Sequence, residues 1–107
     1  MKKLIALAST AFALAVFAPA SQAASFNCYG RLTITEAVIC QNPSLSNLDS
    51  QMASIYFGNL NASPRSARSA MRSEQAGWLR ARNGCGASFG CLQSMYRTRI
   101  ADLSSGD

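Results

Sequence analysis

Past residue 23, the side chains able to do chemistry are four cysteines, five carboxylates and eight arginines. There is no histidine anywhere, and the only lysines are Lys2 and Lys3. The usual general bases and the amine nucleophile are therefore missing. The carboxylates do not make up for this. Glu36 and Asp49 have structural work to do, Asp102 and Asp107 lie near the end of the chain, and Glu74 alone makes no acid–base pair. The expectation is a protein with no catalytic residues, no cofactor and no metal.

Cys28, Cys40, Cys85 and Cys91 read as two disulfides. A metal site is disfavoured by the lack of histidine and of any Cys-x-x-Cys spacing. An even count leaves no spare thiol. A small domain buries a modest core, and each cross-link contributes about 2–4 kcal/mol by restricting the unfolded chain. Of the three pairings, Cys28–Cys40 with Cys85–Cys91 is favoured, because each closes a short loop and Gly86 and Gly90 let the second one bend. A pairing across the chain, such as Cys40–Cys85, stays open, since antiparallel helices could bring those residues together.

An oxidising destination agrees with the first residues. Lys2 and Lys3 precede an apolar run from Leu4 to Ala18, Pro19 breaks it, and Ser21-Gln22-Ala23 offers small residues where a signal peptidase reads. The run is too short to span a bilayer and no stop-transfer flank follows. Residues 1–23 are thus expected to be a signal peptide cleaved near Ala23, leaving residues 24–107 as one periplasmic or secreted domain without a transmembrane segment. Ser25-Phe26-Asn27 before Cys28 is not a lipoprotein cleavage box. Removing two of the ten basic residues leaves eight against five acidic ones, a net charge of +3. That gives weak general attraction to anionic surfaces and no more.

The elements that must position these side chains are helices, for the periodicity is helical throughout. Thr33-Ile34-Thr35-Glu36 is a capping box opening a short helical turn through Ile39 and Cys40. Asn42-Pro43 supplies a cap and a first-turn proline. Leu45, Leu48, Met52, Ile55, Tyr56 and Leu60 then recur at helical steps, with a turn expected at residues 59–62. Ser63-Pro64 repeats the start signal, and Ala67, Ala70, Met71, Trp78, Leu79 and Ala81 point inward up to Asn83-Gly84, a left-handed C-cap. Ser88 caps a last helix bearing Leu92, Met95, Tyr96, Ile100 and Leu103, and residues 104–107 form a polar, flexible tail. The predicted architecture is all-α: a small helical hairpin, a third helix and a short N-terminal helical turn, stapled by two disulfides.

Within these helices Gln75, Arg82 and Arg99 fall on apolar faces, and Asp49 borders another. Buried charges are costly unless paired, so the inward arginines demand carboxylates, with Asp49 and Glu36 the nearby candidates. Glu36, Asp49, Gln75, Arg82 and Arg99 are therefore read as a structural polar network fixing helix register, in preference to an anion or ligand site with Trp78. Arg65, Arg68 and Arg72 line one flank at helical spacing. They make a possible anion-binding surface, but without the interleaved aromatics of a nucleic-acid interface, so no nucleic-acid partner is expected.

The ordered set Cys28, Glu36, Ile39-Cys40, Pro43, Leu45, Leu48-Asp49, Tyr56, Gln75, Trp78-Leu79, Arg82, Cys85, Cys91-Leu92, Tyr96, Arg99-Ile100 and Leu103 resembles the LprI-like lysozyme-inhibitor N-terminal domain family. Ala76-Gly77 departs from it, where larger residues including an arginine are usual; Gly77 lowers helix propensity and is expected to allow closer helix contact. The resemblance implies a small helical periplasmic or secreted protein and, in some members, inhibition of lysozyme. The expected function is an exported, non-enzymatic binding protein, with a lysozyme-type muramidase the best single partner. The alternative is an envelope-associated module that meets anionic lipid or glycan through its surface arginines. Two basic proteins repel at long range, so inhibition would need local complementarity, from Glu74 or the loop 84–90.

Overall fold

The computed structural model describes residues 24–105; residues 1–23, on which the signal-peptide expectation falls, and the last two residues lie outside the described part. Four helices make up the described part: α1 (Ile34–Gln41), α2 (Pro43–Ala62), α3 (Arg65–Asn83) and α4 (Phe89–Ser104). The all-α expectation is met. No strand occurs among the described residues.

Helix α1 starts as its sequence dictates. The Thr33 hydroxyl accepts the Glu36 amide and the Glu36 carboxylate accepts the Thr33 amide. Pro43 opens α2, but Asn42 does not cap it with its side chain. Its Nδ2 instead donates back to the Val38 carbonyl at 2.7 Å, and the Ser46 hydroxyl donates to the Ile39 carbonyl at 2.6 Å. Both tie up acceptors at the end of α1 that would otherwise be unmet. The turn expected at residues 59–62 is absent, and α2 runs on to Ala62. Tertiary contacts hold this last stretch, because Leu60 is buried and Asn59 Nδ2 donates to the Leu103 carbonyl at the end of α4.

Ser63 serves α2 rather than α3, its hydroxyl donating to the Asn59 carbonyl, and α3 begins without a side-chain cap. At the other end Gly84 is right-handed (φ −64°, ψ −19°), not the left-handed cap predicted. An added Cβ there would stand 3.0 Å from the Ala81 carbonyl oxygen, a tight contact but no demand for left-handed backbone. The positive φ belongs to Gly86, at 59°. That turn presents the Gly86 carbonyl to the buried Thr35 hydroxyl, which donates to it at 2.7 Å and also lies 3.2 Å from the Asn83 carbonyl. Ser88 caps α4 as expected, accepting the Cys91 amide. Ser104 is its last helical residue, so of the expected tail only Ser105 stands beyond the helix in the described part.

Ile39, Leu45, Met52, Tyr56, Leu60, Leu92 and Tyr96 form the core. Each such side chain contributes about 1.5–3 kcal/mol when fully buried. Helix α4 is the closest neighbour of α2, while α1 braces α2 and α3. Helix α3 reaches the interior with long side chains: Met71 and Trp78 pack on the core, Ala70 and Ala81 are exposed, and its two buried residues are Gln75 and Arg82. Gly77 is not a close-contact point, since an added Cβ would meet only the far end of Arg80, at 3.7 Å.

Two disulfides staple the ends. Cys28–Cys40 fastens the N-terminal segment to α1, with Cα atoms 5.9 Å apart, and Cys85–Cys91 closes the α3–α4 loop, with Cα atoms 5.6 Å apart. The local pairing therefore holds over the Cys40–Cys85 alternative.

Candidate functional site

The centre of the domain is a polar cluster built on Asp49, which has no solvent exposure. Its Oδ1 accepts the Tyr96 hydroxyl at 2.7 Å, and its Oδ2 accepts the Ser25 amide at 2.6 Å. Arg82 reaches in from α3 and donates from Nη1 to the Tyr96 hydroxyl at 3.2 Å. Its Nε and Nη2 donate to the Asn83 side chain at 3.2 and 2.9 Å. The guanidinium also lies between two carboxylates, 3.9 Å from Asp49 Oδ1 and 4.0 Å from Glu36 Oε2, with the Phe26 ring 5.7 Å away. Burial, and then the charge of Asp49, pushes the Tyr96 hydroxyl well above its usual range, so it remains a neutral donor.

A second set surrounds Arg99 on α4. Its Nη2 donates to Gln75 Oε1 at 2.8 Å and lies 3.6 Å from Glu74 Oε1, and the guanidinium is 5.8 Å from the Trp78 ring centre. Gln75 Nε2 points at the Met52 sulfur, 3.3 Å away. The five predicted network residues thus fall into two groups: Glu36 and Asp49 around Arg82, and Gln75 with Arg99. The carboxylate facing Arg99 is Glu74, not the expected Asp49 or Glu36. Three members were not legible as polar partners: Tyr96, read as apolar, Asn83, read as a helix end, and Ser25. Only Tyr96 left a signal, because an interior tyrosine needs a partner for its hydroxyl.

Beside the first group an aromatic-walled cleft of about 260 Å³ opens between α2, α3 and the N-terminal segment. Phe26, Met52, Tyr56, Phe57 and Leu79 form its apolar lining, and Glu36, Gln75 and Arg82 its polar part. Phe57 is more than half exposed, packing edge-on against Tyr56 with ring centres 4.9 Å apart.

Comparison with known proteins connects this arrangement to a family. The chain is similar to lipoprotein LprI of Mycobacterium bovis and of Mycobacterium tuberculosis, each 30% identical over 86 residues, covering 78% of this chain and 42% of the relative. The match supports an LprI-like family over those 86 residues. It spans less than half the length of the curated relatives it matches. No protein-family profile matches it, and no solved structure does.

Those relatives are named lipoproteins. In this chain Cys28 is tied to Cys40, so its sulfur is not free to carry a lipid. No helix among the described residues is long and apolar enough to cross a membrane. The two disulfides fit an exported protein. On the flank of α3, Arg65 and Arg72 are exposed, whereas Arg68 is half-buried and donates to the carbonyls of Ser63 and Asn61 at the end of α2. The predicted anion-binding flank is therefore not three free cations.

Proposed function

We propose that this domain is an exported, non-enzymatic binding module that takes hold of a protein, with a lysozyme-type muramidase as the partner. The observation that carries the reading is the open cleft with Phe57 at its edge. Arg82, in the cleft's polar wall, and Arg99 are held by internal partners, but aromatic and aliphatic side chains here stand in contact with solvent next to a quarter-exposed carboxylate, Glu36. Interfaces draw their energy from such apolar pockets filled by one or two anchor side chains. A basic partner meets overall repulsion from a domain of net charge +3. Local pairing with Glu36 and burial of Phe57 supply the compensation.

The test is a lysis assay with the oxidised domain in excess over a muramidase, together with direct binding. The expected result is inhibition by the wild-type domain and a loss of at least about tenfold in affinity for Phe57→Ser, the scale of a single interface anchor; that variant remains folded because Phe57 is exposed. Undiminished lysis and no binding at large excess would remove the muramidase. Salt-sensitive binding to anionic vesicles or glycan, lost on replacing Arg65 and Arg72, would favour the envelope reading instead.

A further inference from the structure

Asp49 is a fully buried carboxylate whose one nearby cation among the described residues, Arg82, is shared with the partly exposed Glu36. Glu36 and Asp49 share Arg82, at 4.0 and 3.9 Å, and among the described residues no other cation lies within 4 Å of either. Tyr96 contributes a neutral hydroxyl, and Gln75 and Tyr56, which line the adjoining cleft, carry no charge. A carboxylate with no solvent exposure that shares its single cation, at 3.9 Å, is costly to maintain.

The N-terminal segment passes directly over this carboxylate. The Ser25 amide donates to Asp49 Oδ2 at 2.6 Å, Phe26 packs on the core near Arg82, and Cys28 is fixed to Cys40. Ala24 is half-buried and precedes Ser25 by one residue. One peptide unit is about 3.8 Å long, so the Ala24 nitrogen lies on the order of 6 Å or less from Asp49 Oδ2.

We propose that hydrolysis of the Ala23–Ala24 bond creates a second cation beside Asp49, and that the new Ala24 ammonium pairs with that buried carboxylate. Water adds across the amide: hydroxyl goes to the Ala23 carbonyl carbon and hydrogen to the Ala24 nitrogen. The carboxylic acid then gives up a proton and the amine takes one, since a free α-amine is mostly protonated at neutral pH. Before scission the Ala24 nitrogen is a neutral amide, and among the described residues Asp49 has the shared guanidinium as its one cation. The uncut chain is therefore the less stable one, which suits a polypeptide that must cross a membrane before it folds. The inference rests on the reading of residues 1–23 as a cleaved leader, and is independent of the binding proposal.

The experiment starts from the full chain exported in a bacterium and purified from the periplasm. Intact mass should place the N-terminus at Ala24. Thermal midpoints are then compared for this form and for one carrying a short glycine–serine extension ahead of Ala24, each in the wild-type and in the Asp49→Asn background. The extension should lower the midpoint by roughly 4–8 °C when the carboxylate is present, a typical effect of one modest interaction in a domain this small. In the Asp49→Asn background the same extension should cost much less. An equal penalty in both backgrounds, or none, would overturn the pairing, and so would a mature N-terminus elsewhere. If Asp49→Asn does not fold, titration of the wild-type α-amine decides. A value above the usual range of about 7.7–8.0 supports the pair, and one at or below it refutes it.

Discussion

Replacing Tyr96 with phenylalanine isolates the cluster from the packing around it. The ring would keep its edge-on contact with Trp78, 5.2 Å between centres, and only the hydroxyl would go. That hydroxyl donates to Asp49 Oδ1 at 2.7 Å and accepts from Arg82 Nη1 at 3.2 Å. A hydrogen bond to a charged group is worth about 1.5–3 kcal/mol, and a buried charged acceptor left unmet costs its full desolvation. Asp49 would keep the Ser25 amide and Arg82 would keep Asn83, so the two losses do not simply add. The expected destabilisation is about 2–3 kcal/mol, or a fall of roughly 10–20 °C in thermal midpoint for a domain of this size. Urea unfolding of the oxidised protein, followed by far-ultraviolet circular dichroism, measures it. A change below about 0.5 kcal/mol, within the range of ordinary surface substitutions, would show that the hydroxyl contact does not hold the fold and refute the reasoning.

The same hydroxyl predicts an alkaline limit. Because its pKa is raised on folding, the stabilisation is fully present below the unfolded value of about 10 and is lost as pH rises above it; wild-type stability should fall steeply beyond about pH 10, and Tyr96→Phe should remove that part of the slope. Arg82→Met keeps the length of the side chain but leaves Asp49 and Glu36 without their shared cation, and should cost about 3–5 kcal/mol in the same unfolding assay. Gly77→Ala should stabilise by about 0.5–1 kcal/mol, because the position is helical, φ is ordinary and only the end of Arg80 is near; a loss of stability would mean that glycine there serves close packing after all.

The local signals in the chain were largely readable. The capping box at Thr33 and Glu36, Pro43 at the first turn of α2, the Ser88 cap and both short-loop disulfides act within a few residues of sequence, so their chemistry is visible before any packing is known. Polar residues on apolar faces were equally plain, since helical period alone puts Gln75, Arg82 and Arg99 inward. Pairing was a different matter. Arg82 does lie beside the expected Glu36 and Asp49, but it also meets Tyr96 and Asn83, Arg99 meets Glu74 instead, and Asp49 takes the Ser25 amide.

What the sequence determined alone, then, is the set of helices, their caps and staples, and the fact that charge must lie inside, because propensity, capping and periodicity are properties of neighbouring residues. The tertiary structure decided which partners meet. Asp49 and Ser25 stand 24 residues apart, Asp49 and Tyr96 47, and Thr35 and Gly86 51. It also carried α2 past its expected stop at residue 59 and opened the cleft beside Phe57. Those outcomes depend on how α2, α3 and α4 are set against one another, and the free energy of that arrangement comes from burying Leu45, Met52, Leu92 and Tyr96 together, not from any one stretch of chain.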